Sequence, residues 1–254
     1  MGFWEMKAAL EWQIAMGADE AIAEEAIDRY ALETPVAKAK AAAGPDTPIS
    51  QQIDAVAAAQ AAADSASDLA GLEAAVAAFE HCELKQGARQ LVFADGQAQA
   101  RVMIIGEAPG RDEDMQGKPF VGRAGQLLDL MFRQIGLSRD APDAGAALYI
   151  TNVLPWRPPQ NRDPEPAEMA MMMPFLHRHI ALVDPDIIVA MGNHACEALL
   201  GRKGITRLRG AWSEAVGKPV LPMFHPAYLL RSPSAKRDAW ADLLSLQARL
   251  REKS

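Results

Sequence analysis

The sequence predicts an α/β protein: a three-layer α/β/α domain with a central four-stranded, mainly parallel sheet, preceded by an alanine-rich helical N-terminal segment. Three observations support this. Four short, almost wholly apolar runs recur between residues 102 and 224 of the 254-residue chain, stretches with helical spacing separate them, and the first third is acidic and alanine-rich where the remainder is not. Continuous apolar runs of strand length mark strands buried on both faces. Strands that alternate with helices join as parallel crossover units.

Residues 3–32 carry loose 3.6-type apolar spacing through Trp4, Leu10, Ile14, Ile22 and Ile27 without a proline, which predicts one or two helices. From 34 to 50, Pro35, Gly44, Pro45 and Pro48 stand among alanines and predict a linker. Residues 55–63 and 69–79 favour helix through alanine but offer few large side chains, so weakly packed helices are expected. Strands are expected at Val102 to Ile105, Leu148 to Val153, Ile187 to Met191 and Val220 to Phe224. Helices are expected over Ala124 to Ile135, Pro166 to Leu182, Ala195 to Leu200 and Ala235 to Leu250. The domain reading is a helical segment over 1–33, a low-complexity linker with weak helix over 34–66, and the α/β/α domain over 67–254.

Half the residues are hydrophobic and 23% are charged, which excludes wholesale disorder. No apolar run reaches the roughly 18 residues of a membrane span. The N-terminal stretch carries Glu5 and Glu11 and lacks a signal peptide's basic and apolar regions, and Met6 excludes an N-myristoylation motif. Two cysteines, Cys82 and Cys196, make neither a disulfide framework nor a four-thiolate cage. A bacterial cytoplasm is the expected location. Residues 1–80 hold 4 Lys+Arg against 14 Asp+Glu, and the rest hold 22 against 19, so the net charge of −7 belongs to the N-terminal part. Two local surpluses, Arg202, Lys203, Arg207 and Arg209, then Arg231, Lys236 and Arg237, are either phosphate-facing or simply solvated.

Each expected strand runs into a polar loop: Gly106-Glu-Ala-Pro-Gly110, Asn152 with Arg157-Pro-Pro159 and Asn161, Gly192-Asn193-His194, and His225-Pro-Ala-Tyr228. Ligands of open α/β sheets bind beyond the carboxyl ends of the strands, so four such loops predict one pocket. The usual nucleotide motifs are absent: the first loop lacks the third glycine of GxGxxG, and neither Gly-Lys pair continues as a P-loop. The run Asp112-Glu113-Asp114 points successive side chains apart and is not a metal site. His177 and His179 read as surface or packing residues, and His194 as a capping or packing residue.

The segments GEAPGRDEDMQGKPFVGRAGQLL, YITNVLPWRPPQNRDP and PMFHPAYLLRSPSAKR resemble, in order and spacing, the signature segments of family 4 uracil-DNA glycosylases. The likeness covers about residues 80–250. It implies a pocket for a uracil turned out of DNA, formed by Gly106, Ala108, Glu113, Phe120 and Asn152. Phe120 would stack on the base in place of the lost neighbours, unless it is a core aromatic. The Asn152 amide would pair with uracil O4 and N3 and reject cytosine, whose edge has the opposite polarity, unless it caps a turn. Glu113 would fill the space of a thymine methyl. His225 would stabilise the departing uracil anion, and Glu107 the attacking water and the cationic sugar. Leu229, Leu230 and Arg231 would wedge into the duplex gap, one of the leucines instead anchoring the next helix. Arg207, Arg209, Lys236 and Arg237 would grip phosphates.

One departure is large. Most members of that family hold a four-iron, four-sulfur cluster through four cysteines, and the corresponding positions here are Phe79, Cys82, Trp156 and Met172. No cofactor and no metal are therefore expected. The expected function is monofunctional uracil excision from single- or double-stranded DNA by a monomer, with the N-terminal segment free to meet a protein partner. The alternative is a uracil- or DNA-binding module without turnover. Residues 111–123 contain no histidine, which argues against relatives that form a covalent histidine adduct.

Overall fold

Four apolar strands, Val102–Gly106 (β2), Leu148–Asn152 (β3), Ile187–Met191 (β4) and Lys218–Met223 (β6), form the centre of the sheet in a computed structural model that describes residues 49–252, with side chains from Ala55 onward. They pair in parallel, β3 with β2, β2 with β4 and β4 with β6. The expected four-stranded sheet is extended. Asp95–Gly96 (β1) adds antiparallel to β3 and Ser213–Ala215 (β5) antiparallel to β6, giving six strands in the order β1-β3-β2-β4-β6-β5. These edge strands are two and three residues long and only partly buried, so they carry no apolar run for sequence patterning to mark.

Alternation along the strands builds two cores. Ile104, Ile150, Val189 and Leu221 face helices Arg123–Arg133 (α5) and Lys236–Glu252 (α10), meeting Leu128, Phe132, Leu243 and Leu246. Met103, Ile105, Tyr149 and Ile188 face the other side and meet Leu176 and Ile180 of Pro166–Val183 (α6) and Cys196 of Asn193–Leu200 (α7). The three-layer α/β/α expectation is thus met.

Before β1 lie Ile49–Ser65 (α1), Leu69–Ala78 (α2) and Leu84–Gly87 (α3). Helix α1 is not a weak element of a linker. Ala59 and Ala63 are fully buried in a cluster with Leu72, Phe175 and Met172, and Arg178 of α6 donates to the Ala66 carbonyl at 2.9 and 2.6 Å. Small methyl groups let two helices approach closely, so alanine here packs by absence of bulk. The compact unit accordingly begins at Thr47 rather than at 67. The helices expected over 3–32 and most of the 34–50 linker lie outside the described residues.

In-register pairing of Gly106 with Asn152 and of Met191 with Met223 brings the carboxyl ends of all four central strands onto one rim. No helix among the described residues is long and apolar enough to cross a membrane.

Candidate active site

The loops beyond that rim enclose a cavity of about 650 Å³. Its floor depends on Gly106. A Cβ there would lie 2.3 Å from Asn152 Oδ1 and 2.6 Å from the Phe120 ring, so only glycine lets the amide and the ring close over the strand end. Asn152 ends β3, almost buried, with its side chain lining the cavity. An amide there offers a donor and an acceptor side by side to whatever enters the cavity.

Phe120 holds a left-handed backbone, φ +52°, which a bulky residue adopts only under constraint. Three constraints act. Glu113 Oε1 accepts from Val121 N and Gly122 N at 2.9 Å each, fastening the turn to Arg111–Gln116 (α4). Arg139 donates to the carbonyls of Pro119 and Phe120 at 2.9 Å each, itself held by Asp129 and Asp95. Gly125 of α5 supplies the space, since a Cβ there would sit 1.8 Å from the Phe120 oxygen.

The Phe120 ring faces His225, with centroids 5.4 Å apart and planes 30° from parallel. His225 caps Pro226–Arg231 (α9), its Nδ1 accepting from Ala227 N at 3.2 Å. An accepting Nδ1 leaves the proton on Nε2, which makes the free nitrogen a donor. Burial, with the Arg231 charge adding, pushes the His225 pKa down to about 4, so the ring is neutral near pH 7. Across the cavity, burial raises the Glu107 carboxyl above its ordinary value. His194 opposes that shift and Asp163 adds to it. His194 Nε2 lies 3.8 Å from both Glu107 Oε2 and Asp163 Oδ1.

An aromatic face, an amide, a neutral N–H donor and a half-buried carboxylate thus line one cavity. They suit a planar base with hydrogen-bonding edges and a bond whose cleavage separates charge. A profile of the uracil DNA glycosylase superfamily matches residues 93–244, well over half of the chain. The chain belongs to this superfamily. It is 42% identical over 156 residues to the type-4 uracil-DNA glycosylase of Thermotoga maritima, covering 60% of this chain and 78% of that protein. It is 38% identical over 172 residues to the type-4 enzyme of Sulfurisphaera tokodaii, covering 64% and 76%. A type-5 uracil-DNA glycosylase of Pyrobaculum aerophilum is 31% identical over 146 residues, covering 53% and 64%.

Within this superfamily member, Glu107, Ala108, Glu113, Phe120, Asn152, His225 and Arg231 all line the cavity, and Gly106 lies beneath it. Two expected DNA contacts need correction. Leu229 is wholly buried against Phe224 and Ala239, so it anchors α9 and cannot enter a duplex; Leu230, 38% exposed, is the free neighbour. Arg209 is bound to Asp242 (Nε to Oδ2 2.9 Å), donates to the Asp238 carbonyl and lies over the Phe224 ring, so it fastens α10 instead of gripping a phosphate. Arg207, Arg231, Lys236 and Arg237 are exposed. His194, expected at the rim only as a capping or packing residue, and Asp163, for which nothing was expected, both line the cavity. His194 directly follows the Gly192-Asn193 turn at a strand's carboxyl end, and that position was the available signal.

The positions corresponding to the cluster cysteines do converge. Phe79, Cys82, Trp156 and Met172 are buried in one apolar group, with Phe79 edge-on to Phe175 at 5.2 Å. This donor set does not fit an iron–sulfur cluster. Cys82 is its single thiol, and Phe79, Trp156 and Met172 offer no thiolate where such a cluster takes four. Cys196 belongs to a different core, against the sheet. Two aromatic rings and a thioether fill the space.

Proposed function

We propose that this protein hydrolyses the N-glycosidic bond of deoxyuridine flipped out of DNA and leaves an abasic site, the opening step of base excision repair. The observation that carries the proposal is the meeting of Phe120, Asn152, His225 and Glu107 over Gly106 in one cavity.

Phe120 replaces the stacking that the base loses on leaving the helix. Asn152 offers a donor to O4 and an acceptor to N3–H, whereas cytosine would set donor against donor. As the C1′–N1 bond breaks, its electron pair leaves with uracil, and the Nε2–H of His225 stabilises charge on O2. A neutral, prepositioned donor does this without releasing a proton it would have to regain. Water adds to C1′ and gives its proton to Glu107, whose carboxylate also favours the cationic sugar. Among the described residues no lysine lines the cavity, so no amine stands ready to trap the sugar, and the reaction ends at hydrolysis.

Exposed Leu230 and the cavity-lining Arg231 beside it are assigned to the gap in the duplex, and Arg207, Lys236 and Arg237 to phosphates. Every group the reaction uses comes from one chain, which fits a monomer acting on DNA in the cytoplasm. The test is a gel assay with single-stranded, U·G and U·A oligonucleotides and a cytosine control. Alkali-labile product from uracil alone supports the reading; tight binding without product would replace it with a binding module.

A further inference from the structure

His194 stands where three chain segments meet. It opens α7 just after Gly192, whose φ of +90° turns the chain past the His225 side chain. Its Nε2 faces Glu107 from the loop after β2 and Asp163 from the segment before α6, each at 3.8 Å. Its Nδ1 lies 3.6 Å from Glu197 Oε2 of its own helix and is buried without a hydrogen-bond partner. Lys203 holds the other Glu197 oxygen at 3.0 Å. The remaining charged or titratable groups lining the cavity are Glu113, which holds the Val121 and Gly122 amides, His225, Tyr228 and Arg231 at and in α9, and Arg162, which is committed to Glu168.

Glu107 is less well held. Among the described residues no donor hydrogen-bonds its carboxylate, and His194 is the one basic group within 4 Å of it. A carboxylate that must take a proton from water at one point in space needs an orienting partner, because small misplacements are expensive in rate. At 3.8 Å the contact is longer than a hydrogen bond. A shift of about 1 Å, or one bridging water, makes it one, and such contacts commonly tighten only in the substrate complex.

We infer that His194 is a positioning residue for this reaction, which orients the Glu107 carboxylate through Nε2 and keeps it ionised, with Asp163 holding the imidazole from the solvent side. The inference rests on the assignment of Glu107 to the attacking water. The direction of the Glu107 shift agrees: burial and Asp163 raise its pKa, and His194 opposes them. Asp163, with its side chain 90% exposed, can hold the imidazole without being drawn into the cavity, whereas the His194 side chain is 15% exposed.

The test is a single-turnover cycle on the full-length protein with a uracil oligonucleotide, using His194→Asn, Glu107→Gln and the double variant. His194→Asn is expected to slow excision by about tenfold or more, with affinity for an uncleavable oligonucleotide unchanged. In the Glu107→Gln background the same substitution should change the rate less than about twofold, because the partner it orients is gone. The acid limb of the pH profile should move to higher pH in His194→Asn, since Glu107 loses the neighbour that opposes the rise of its pKa. His194→Gln, which keeps an N–H at similar reach, should recover most of the rate and covers the case of a poorly folding Asn variant. Parental activity of Glu107→Gln would sink the glutamate assignment itself. A slow Glu107→Gln combined with a parental His194→Asn, additive losses, or an unmoved acid limb would overturn this inference alone. Activity lost on chelation and restored by Mn²⁺ would overturn it too, by making Glu107, Asp163 and His194 cation ligands.

Discussion

Replacing His225 with alanine separates two tasks that the structure gives to one imidazole. Nδ1 caps α9 by accepting from Ala227 N, and loss of a cap costs about 1 kcal/mol of stability. The Nε2–H faces the cavity, and loss of one donor to a developing oxyanion costs about 3 kcal/mol of transition-state stabilisation. At 1.36 kcal/mol per tenfold, that is about 10²-fold in rate. The assay is single-turnover cleavage with protein in excess over a labelled uracil oligonucleotide, alongside a melting curve that registers the cap separately. A rate within about threefold of the parent would refute the assigned role, since an oxyanion donor is worth far more. pH supplies a second check. With the ring's pKa pushed down to about 4, the parent's rate should not rise as pH falls through 6.5; a rise would mean that the imidazolium is the active donor. Stability carries its own sign. The unfolded histidine takes up a proton near 6.5 and the folded one only near 4, so this histidine's contribution is fully present above 6.5 and lost as pH falls towards 4. Buried His179, whose pKa burial lowers to about 3, adds to the same acid destabilisation.

Arg209→Ala leaves Asp242 buried and unpaired, and is expected to cost about 3 kcal/mol in denaturant unfolding without changing DNA affinity. Arg237→Ala should do the reverse, weakening DNA binding and lowering the salt-dependence slope by about one, with stability unchanged. Anaerobically purified protein should contain no stoichiometric iron, and Cys82→Ala should retain excision activity; a brown protein with cluster absorbance would contradict the apolar packing of that site. Compared with a chain starting at Thr47, one starting at residue 67 loses Ala59, Ala63 and the Ala66 carbonyl that Arg178 binds, and should melt about 4 °C lower or more.

How much of this was readable from residues alone depended on how each residue advertises its environment. The four central strands were legible because burial on both faces leaves an unbroken apolar run, as in IIVAM. Helix α1 was misjudged because alanine signals propensity and says nothing about what packs against it. The cavity was legible because polar residues at four strand ends share one rim in any parallel sheet. The DNA face was only half legible. Arg207 and Arg209 differ by two positions on one short turn, and what separates them is Asp242, 33 residues beyond Arg209 and invisible to local patterning. Leu229 and Leu230 are likewise indistinguishable until the direction of each is known. His194 was read from its own helix, whereas its neighbours come from two other segments.

Arg139 lies outside the cavity lining, yet it spans edge strand β1 through Asp95, helix α5 through Asp129 and the carbonyls of Pro119 and Phe120. It works as a tie rod. The tilt of the Phe120 ring, assigned above to the base, is therefore set by a guanidinium and two carboxylates outside the cavity lining. Changes in which damaged bases are accepted can then arise at Asp95, Asp129 or Arg139 while every pocket residue is kept. A survey for altered base preference that randomises only the cavity wall would overlook the three side chains that aim it.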